Sequence, residues 1–170
     1  MTKIEVIKPS KQESDIEKVL QNKYKFLLLK RSYKIVKCKL KYLPYVVSTF
    51  RCDTKNNKSK RANMLYVIIN ALTSKKQVFP DITGIMTEYL DVEREALVEC
   101  VFNLEEEKLN VIKYLKFVTL PRVFHSFQNY QIELINSKIM YRVVWLVNWE
   151  NAKNRQMLTV IEADDYNINL

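Results

Sequence analysis

Two long runs of alternating character, residues 35–52 and 130–149, constrain this 170-residue chain more than any other feature. Period two over such lengths means strand, with successive side chains on opposite faces. In the first run Val36, Cys38, Leu40, Tyr42, Pro44, Val46, Ser48, Phe50 and Cys52 share one parity. The other parity opens with Lys37, Lys39 and Lys41 and turns apolar from Leu43 through Tyr45, Val47 and Thr49. This pattern predicts a strand exposed on one face early and covered on both faces later. Pro44 lacks an amide donor, which predicts a bulge or an edge position there. In the second run Ile135, Ile139, Tyr141, Val143, Trp145, Val147 and Trp149 share one parity.

The flanks of both runs follow a similar order. Residues 3–8 (KIEVIK) alternate weakly, and Ser10 with Glu13 has capping-box spacing, predicting a helix to about Ser32. Ile16, Val19, Leu20, Lys23 and Leu27 would form its stripe. After the first long run the polar segment Asp53–Asn63 turns the chain, and Leu65–Leu72 returns as a strand. In the second half, Ala96–Phe102 reads as a strand and Asn103 as an N-cap, with Glu105, Glu106 and Glu107 in the first helical turn. The helix would run through Leu109, Ile112, Leu115 and Lys116, with Pro121 as a break. The long run Tyr130–Trp149 follows, then the turn Glu150–Gln156 and a strand at Met157–Ala163.

At an offset of about 93 to 97, Glu5 falls on Glu99, Tyr33 on Tyr130, Ile35 on Ile132, Val46-Val47 on Val143-Val144 and Leu65 on Leu158. The expected fold is therefore α+β: tandem β-α-β-β repeats forming a curved antiparallel sheet with two long helices packed on it. Residues 1–76 would be the first repeat, 77–95 a connecting segment and 96–170 the second, all in one compact unit. The layout is similar in architecture, and in nothing more, to helix-plus-curved-sheet modules such as cystatin-like folds.

Glycine and histidine each occur once, as Gly84 and His125. A phosphate-cradling loop needs several glycines, and a His-based triad or zinc site has one imidazole to draw on. His125, expected near a helix C-terminus, is read as a dipole contact rather than a base. Cys38, Cys52 and Cys100 are odd in number with no CxxC spacing, so they read as buried thiols in a reducing compartment. Glu162, Asp164 and Asp165 read as an exposed acidic tail rather than as metal ligands. The N-terminal residues lack a signal peptide's apolar core, and the longest apolar uncharged stretch, Tyr42–Phe50, is far too short for a membrane span. A cytoplasmic location is expected, with no cofactor.

The net charge of +9 is unevenly distributed. Residues 1–80 hold 19 Lys and Arg against 5 Asp and Glu, a balance of +14, while residues 81–170 hold 9 against 14, a balance of −5. Such polarity attracts anionic partners to the first half and allows opposite ends of two copies to associate. The candidate partner-binding residues are Lys37, Lys39 and Lys41 on the strand, Lys55, Lys58, Lys60 and Arg61 in the hairpin loop, and Lys75 and Lys76 after the return strand. Tyr141, Trp145 and Trp149 form an aromatic stripe at strand spacing, suited to a core or to docking another protein. With the usual catalytic constellations missing, the expected function is a non-catalytic binding protein, an accessory, inhibitor or immunity-type factor. Another protein is the first expected partner and a homodimer a second arrangement. Nucleic-acid binding through the basic hairpin is the alternative.

Overall fold

The structure, a computed structural model, describes residues 1–23, 33–54, 63–99, 103–119, 130–151, 155–166 and 168. In chain order these form β1 (Thr2–Ile7), α1 (Ile16–Lys23), β2 (Tyr33–Thr54), β3 (Asn63–Asn70), β4 (Lys76–Phe79), β5 (Thr87–Val92), α2 (Leu104–Tyr114), β6 (Tyr130–Asn151) and β7 (Gln156–Glu162). The class is α+β. The strands hydrogen-bond in the order β4-β3-β2-β6-β1-β5, with β7 also on β6. The sheet is mixed rather than antiparallel, because β1 runs parallel to β6, with Val6 beside Tyr141 and Ile7 beside Arg142. The long intervening chain supplies the crossover that parallel pairing requires.

Contacts divide the chain into two compact units, each assembled from distant segments. Unit 1 comprises Met1–Leu43, Met86–Val98 and Tyr141–Asn167; unit 2 comprises Pro44–Ile85, Glu99–Met140 and Ile168–Leu170. The two 22-residue strands β2 and β6 thus contribute one stretch to each unit.

In unit 2, β2 pairs antiparallel with β3 from Tyr45↔Asn70 to Cys52↔Asn63, and β3 pairs with β4. Val46, Phe50, Cys52, Leu65, Val67 and Ile69 face Val111 and Leu115, one helical turn apart, with Ile132 and Leu134 of β6 packed alongside. Asn103 caps α2 as its sequence predicts, its side-chain oxygen accepting from the amides of Glu105 (3.2 Å) and Glu106 (3.3 Å). The helix then widens into a π-turn over Leu115–Thr119.

In unit 1 the same device recurs. Ile16 and Leu20, also one turn apart on α1, pack on Val147, Trp149 and Ile161 of the β6–β7 hairpin and on Tyr33, Ile35 and Cys38 of β2. A second cluster joins Ile4, Val6, Tyr42, Val92, Val143 and Ala163. Each helix therefore covers a hairpin drawn from the other half of the sequence: α1 covers β6–β7, and α2 covers β2–β3.

Several expectations need correction. Ser10 does not cap α1; a short 3-10 turn at Glu13–Asp15 leads into the helix, and the Gln12 amide donates to Asp15 Oδ2 at 2.9 Å. The connecting segment 77–95 is itself built of strands: it holds most of β4, which pairs with β3, and all of β5, which pairs with β1 from Thr2↔Val92 to Ile7↔Thr87. Ala96 ends a 3-10 turn, and Leu97 makes one isolated bridge to Tyr42, so the described part of Ala96–Phe102 is not a strand. On α2 the buried stripe is Val111 and Leu115, while Leu109 is exposed.

On β6 the core-facing parity changes between Leu134 and Tyr141. Ile135 and Ile139 are therefore exposed, whereas Val143, Val147 and Trp149 are buried. Leu65 and Leu158 are not equivalent either. Leu65 lies opposite Phe50, and Thr159 lies opposite Val147. The second hairpin connection is shorter by an odd number of residues, which turns Leu158 to the outer face.

Pro44 is buried, and it sits on a strand with neighbours on both sides rather than at an edge. It lies just beyond the last β2–β3 pair, Tyr45↔Asn70, and its carbonyl accepts from the Ala71 amide at 3.1 Å. The ladder ends where the donor is missing, and the imino acid is tolerated for that reason.

Candidate binding surface

β2 runs through unit 1 with Cys38, Leu40 and Tyr42 turned into its clusters, which directs the intervening lysines outward. Lys37 and Lys39 are exposed, and among the described residues neither makes an ion pair. Val36, next to them, is 51% exposed. Lys41 is half-buried, and its ammonium donates to the Glu95 carbonyl, so it fastens the segment after β5 to β2. The described lysines of the strand thus divide into two open charges and one structural tie.

The other basic candidates are distributed differently. Lys75 and Lys76 belong to unit 2. Lys75 is exposed, whereas the Lys76 ammonium lies 3.3 Å from Glu107 Oε2, with both side chains mostly buried. Lys76 therefore joins β4 to α2. Lys55, Lys58, Lys60 and Arg61 lie outside the described residues, as do Cys100 and His125.

The aromatic stripe lies within unit 1. Trp149 is 2% exposed, donates from Nε1 to Thr159 Oγ1 at 3.0 Å, and meets the Tyr33 ring edge-on at 6.4 Å. Tyr141 and Trp145 are partly buried against the clusters, and the Trp145 Nε1–H is buried without a hydrogen-bond partner among the described residues.

Of the three acidic residues at the end of β7, Glu162 and Asp165 are exposed as expected and Asp164 is not. Asp164 is 3% exposed and accepts two hydrogen bonds from Arg142, itself fully buried. A third bond runs from Arg142 Nη2 to the Tyr166 carbonyl at 3.1 Å, and Arg142 Nη1 lies 3.1 Å from Glu162 Oε1. Lys11 reaches the Asp164 carbonyl (2.5 Å) and Asp165 Oδ1 (2.7 Å), while the Ser10 hydroxyl donates to Asp165 Oδ2 at 2.6 Å. These contacts hold Asp165 below the usual carboxylate range, chiefly through the Lys11 hydrogen bond and then that of Ser10. Each carboxylate of the trio is engaged by a cation of the chain, and among the described residues no group of three or more metal-ligating side chains converges.

Arg142 gave no sign of this role in sequence. It sits among apolar residues of β6, and the available signal was the lone charge within the run Tyr141–Val147. Burial pushes the Cys38 thiol up and the Cys52 thiol up to about 11, the latter aided by Asp53. Such thiols stay protonated at neutral pH and are poor nucleophiles. No described helix is long and apolar enough to cross a membrane. Comparison with known proteins found no family model, no curated protein and no solved structure that matches the chain.

Proposed function

We propose that the chain is a non-catalytic binding protein of the cytoplasm, an accessory or inhibitory factor that docks an acidic protein segment on the outer face of β2. The observation that carries this reading is the pair Lys37 and Lys39, exposed and without ion pairs among the described residues. Side chains two residues apart on a strand repeat at about 7 Å. An extended segment with Asp or Glu at every second position repeats at the same distance, so charge and spacing match together. The alternative is a solvated lysine face that keeps a strand from unwanted pairing. The polarity of +14 against −5 between the sequence halves supports a dedicated anionic partner over that alternative.

Nucleic acid is the second reading, favoured by the same two lysines together with the basic loop of residues 55–61. One experiment separates the cases. The tagged protein and its Lys37→Glu/Lys39→Glu variant are used to capture partners from lysate, with and without nuclease. A stoichiometric protein that survives nuclease and is lost with the variant supports the first reading. Capture that vanishes with nuclease moves nucleic acid to the front. Equal capture by both chains overturns the role of this face.

A further inference from the structure

We infer that the acidic partner docks through two rows of side chains at once, carboxylates over β2 and apolar residues over β6 and β7, and so presents the face of a β-hairpin. The inference rests on the acidic-partner reading and adds the second row to it. Within unit 1, α1 covers one side of the sheet: Ile16 and Leu20 pack on Cys38 of β2, Val147 and Trp149 of β6, and Ile161 of β7. The residues one step along each strand point to the opposite side. On β2 these are Lys37 and Lys39, both exposed. On β6 they are Leu146, half-buried, and Asn148, exposed. On β7 they are Leu158, 64% exposed, and Val160, 43% exposed. Leu146 lies opposite Val160, and Asn148 opposite Leu158. Because β6 is hydrogen-bonded to both β2 and β7, the three strands form one surface, with lysines on one flank and an apolar strip on the other.

Charge and spacing select the occupant. Both rows repeat at every second residue, about 7 Å, which is the repeat of a facing strand. The apolar strip begins on β6 with Leu146, one strand away from the lysines, so two adjacent strands of a partner reach both rows. Sheets stack face to face with their strands nearly aligned. A hairpin laid on this face sets alternate Asp or Glu residues of one strand over Lys37 and Lys39. Alternate apolar residues of its other strand then cover Leu146, Leu158 and Val160. A single acidic strand would leave that strip in water. A second copy is disfavoured, because laid face to face it sets lysines against lysines or against the strip. Glu162, the carboxylate at the end of the face, is already held by Arg142 at 3.1 Å. An anionic lipid surface attracts lysines wherever they stand and makes no use of the matched repeats.

The test is fluorescence anisotropy of the full chain against labelled cyclic β-hairpin peptides. The first carries alternate Glu on one strand and alternate Leu on the same face of the other; the second has Ser in place of Leu. The first is expected to bind about tenfold tighter or more. In the Leu158→Ser/Val160→Ser variant its affinity falls to that of the second, whose own binding does not change. The Lys37→Glu/Lys39→Glu variant weakens both. All four side chains face solvent, so the fold is retained, which circular dichroism checks. Equal affinity for the two hairpins, both lost in the lysine variant, overturns the second row and leaves the acidic-partner reading standing. Binding that survives the lysine variant, or no binding of either hairpin, overturns both. Binding to phosphatidylserine vesicles in place of the hairpins, lost in both variants, overturns the inference in favour of a lipid surface.

Discussion

Arg142 grips Asp164 with two parallel hydrogen bonds, Nε to Oδ2 at 2.7 Å and Nη2 to Oδ1 at 2.8 Å, both side chains out of solvent. The pair ties β6 to the segment that follows β7. Lys11 and Ser10 reach the same segment from the stretch after β1. A charge in such a place is tolerated because its partner and additional acceptors are fixed beside it.

Removing Arg142 leaves the Asp164 carboxylate buried without its cation, and removing Asp164 takes from the buried guanidinium its doubly bonded partner. Asp164→Leu and Arg142→Met are each expected to destabilise the chain by about 3–5 kcal/mol. The double variant Arg142→Met/Asp164→Leu recovers a substantial part of that loss, since neither charge remains to be desolvated. Urea unfolding of the four proteins reads this directly. A double variant as unstable as the sum of the two singles would show that the pair does more than satisfy itself.

Asp165 gives stability a signature at acid pH. Its carboxyl is held low by Lys11 and Ser10, so its unfolded-state value, about 3.9, lies above the folded one. The stabilising contribution is complete above that unfolded value and is lost as pH falls through the depressed folded value. The stability gap between wild type and Asp165→Asn should therefore be widest near neutral pH and close on acidification. A gap that stays constant down to the acid limit would remove the Lys11 contact from the explanation.

The two tryptophans of β6 should answer differently to the same substitution. Trp149→Phe removes the indole hydrogen bond to the buried Thr159 hydroxyl and is expected to cost about 1–3 kcal/mol. Trp145→Phe deletes a buried N–H that has no partner among the described residues, so the lost ring area is offset by relief of that donor. The expected outcome is a change of less than about 1 kcal/mol for Trp145→Phe. Equal losses at both positions in denaturant titrations would contradict the assignment.

What was legible in sequence was local. The two long strands, the Asn103 cap and the outward lysines of β2 followed from period and chemistry within a few residues. The assignment of residues to units was not legible, because β2 and β6 each change unit midway, and no composition shift marks Leu43–Pro44 or Met140–Tyr141. The change of core-facing parity on β6 misled for the same reason: Ile135 and Val143 share a parity but meet different surroundings. β5 was hidden in a charged segment because its partner β1 lies some eighty residues away, and pairing at that distance leaves no mark in a local window. The Arg142–Asp164 pair was illegible on the same ground. Of the candidate surface, the outward direction of Lys37 and Lys39 was readable, but the diversion of Lys41 to Glu95 and of Lys76 to Glu107 was not.

Cys52 supplies a last test, at the alkaline end. Its thiol is 1% exposed among Phe50, Leu65 and Val67 of the unit 2 core, and burial pushes its pKa up to about 11, with Asp53 adding to the rise. In the unfolded chain a cysteine ionises near pH ~8.5. Between those two values the unfolded state has released its proton and the folded state has not, so stability falls as pH rises through that interval and levels off above it. The drop is on the order of 3 kcal/mol. Cys52→Ala, which loses one polarizable atom from the core but has nothing to ionise, should show a flatter profile over the same range. At neutral pH the thiol should resist a disulfide exchange reagent until denaturant is added, in keeping with its protonated, covered state. Rapid native labelling of Cys52, or identical alkaline profiles for the two proteins, would mean that the β2–β3 hairpin opens locally beneath α2 far more readily than its packing implies.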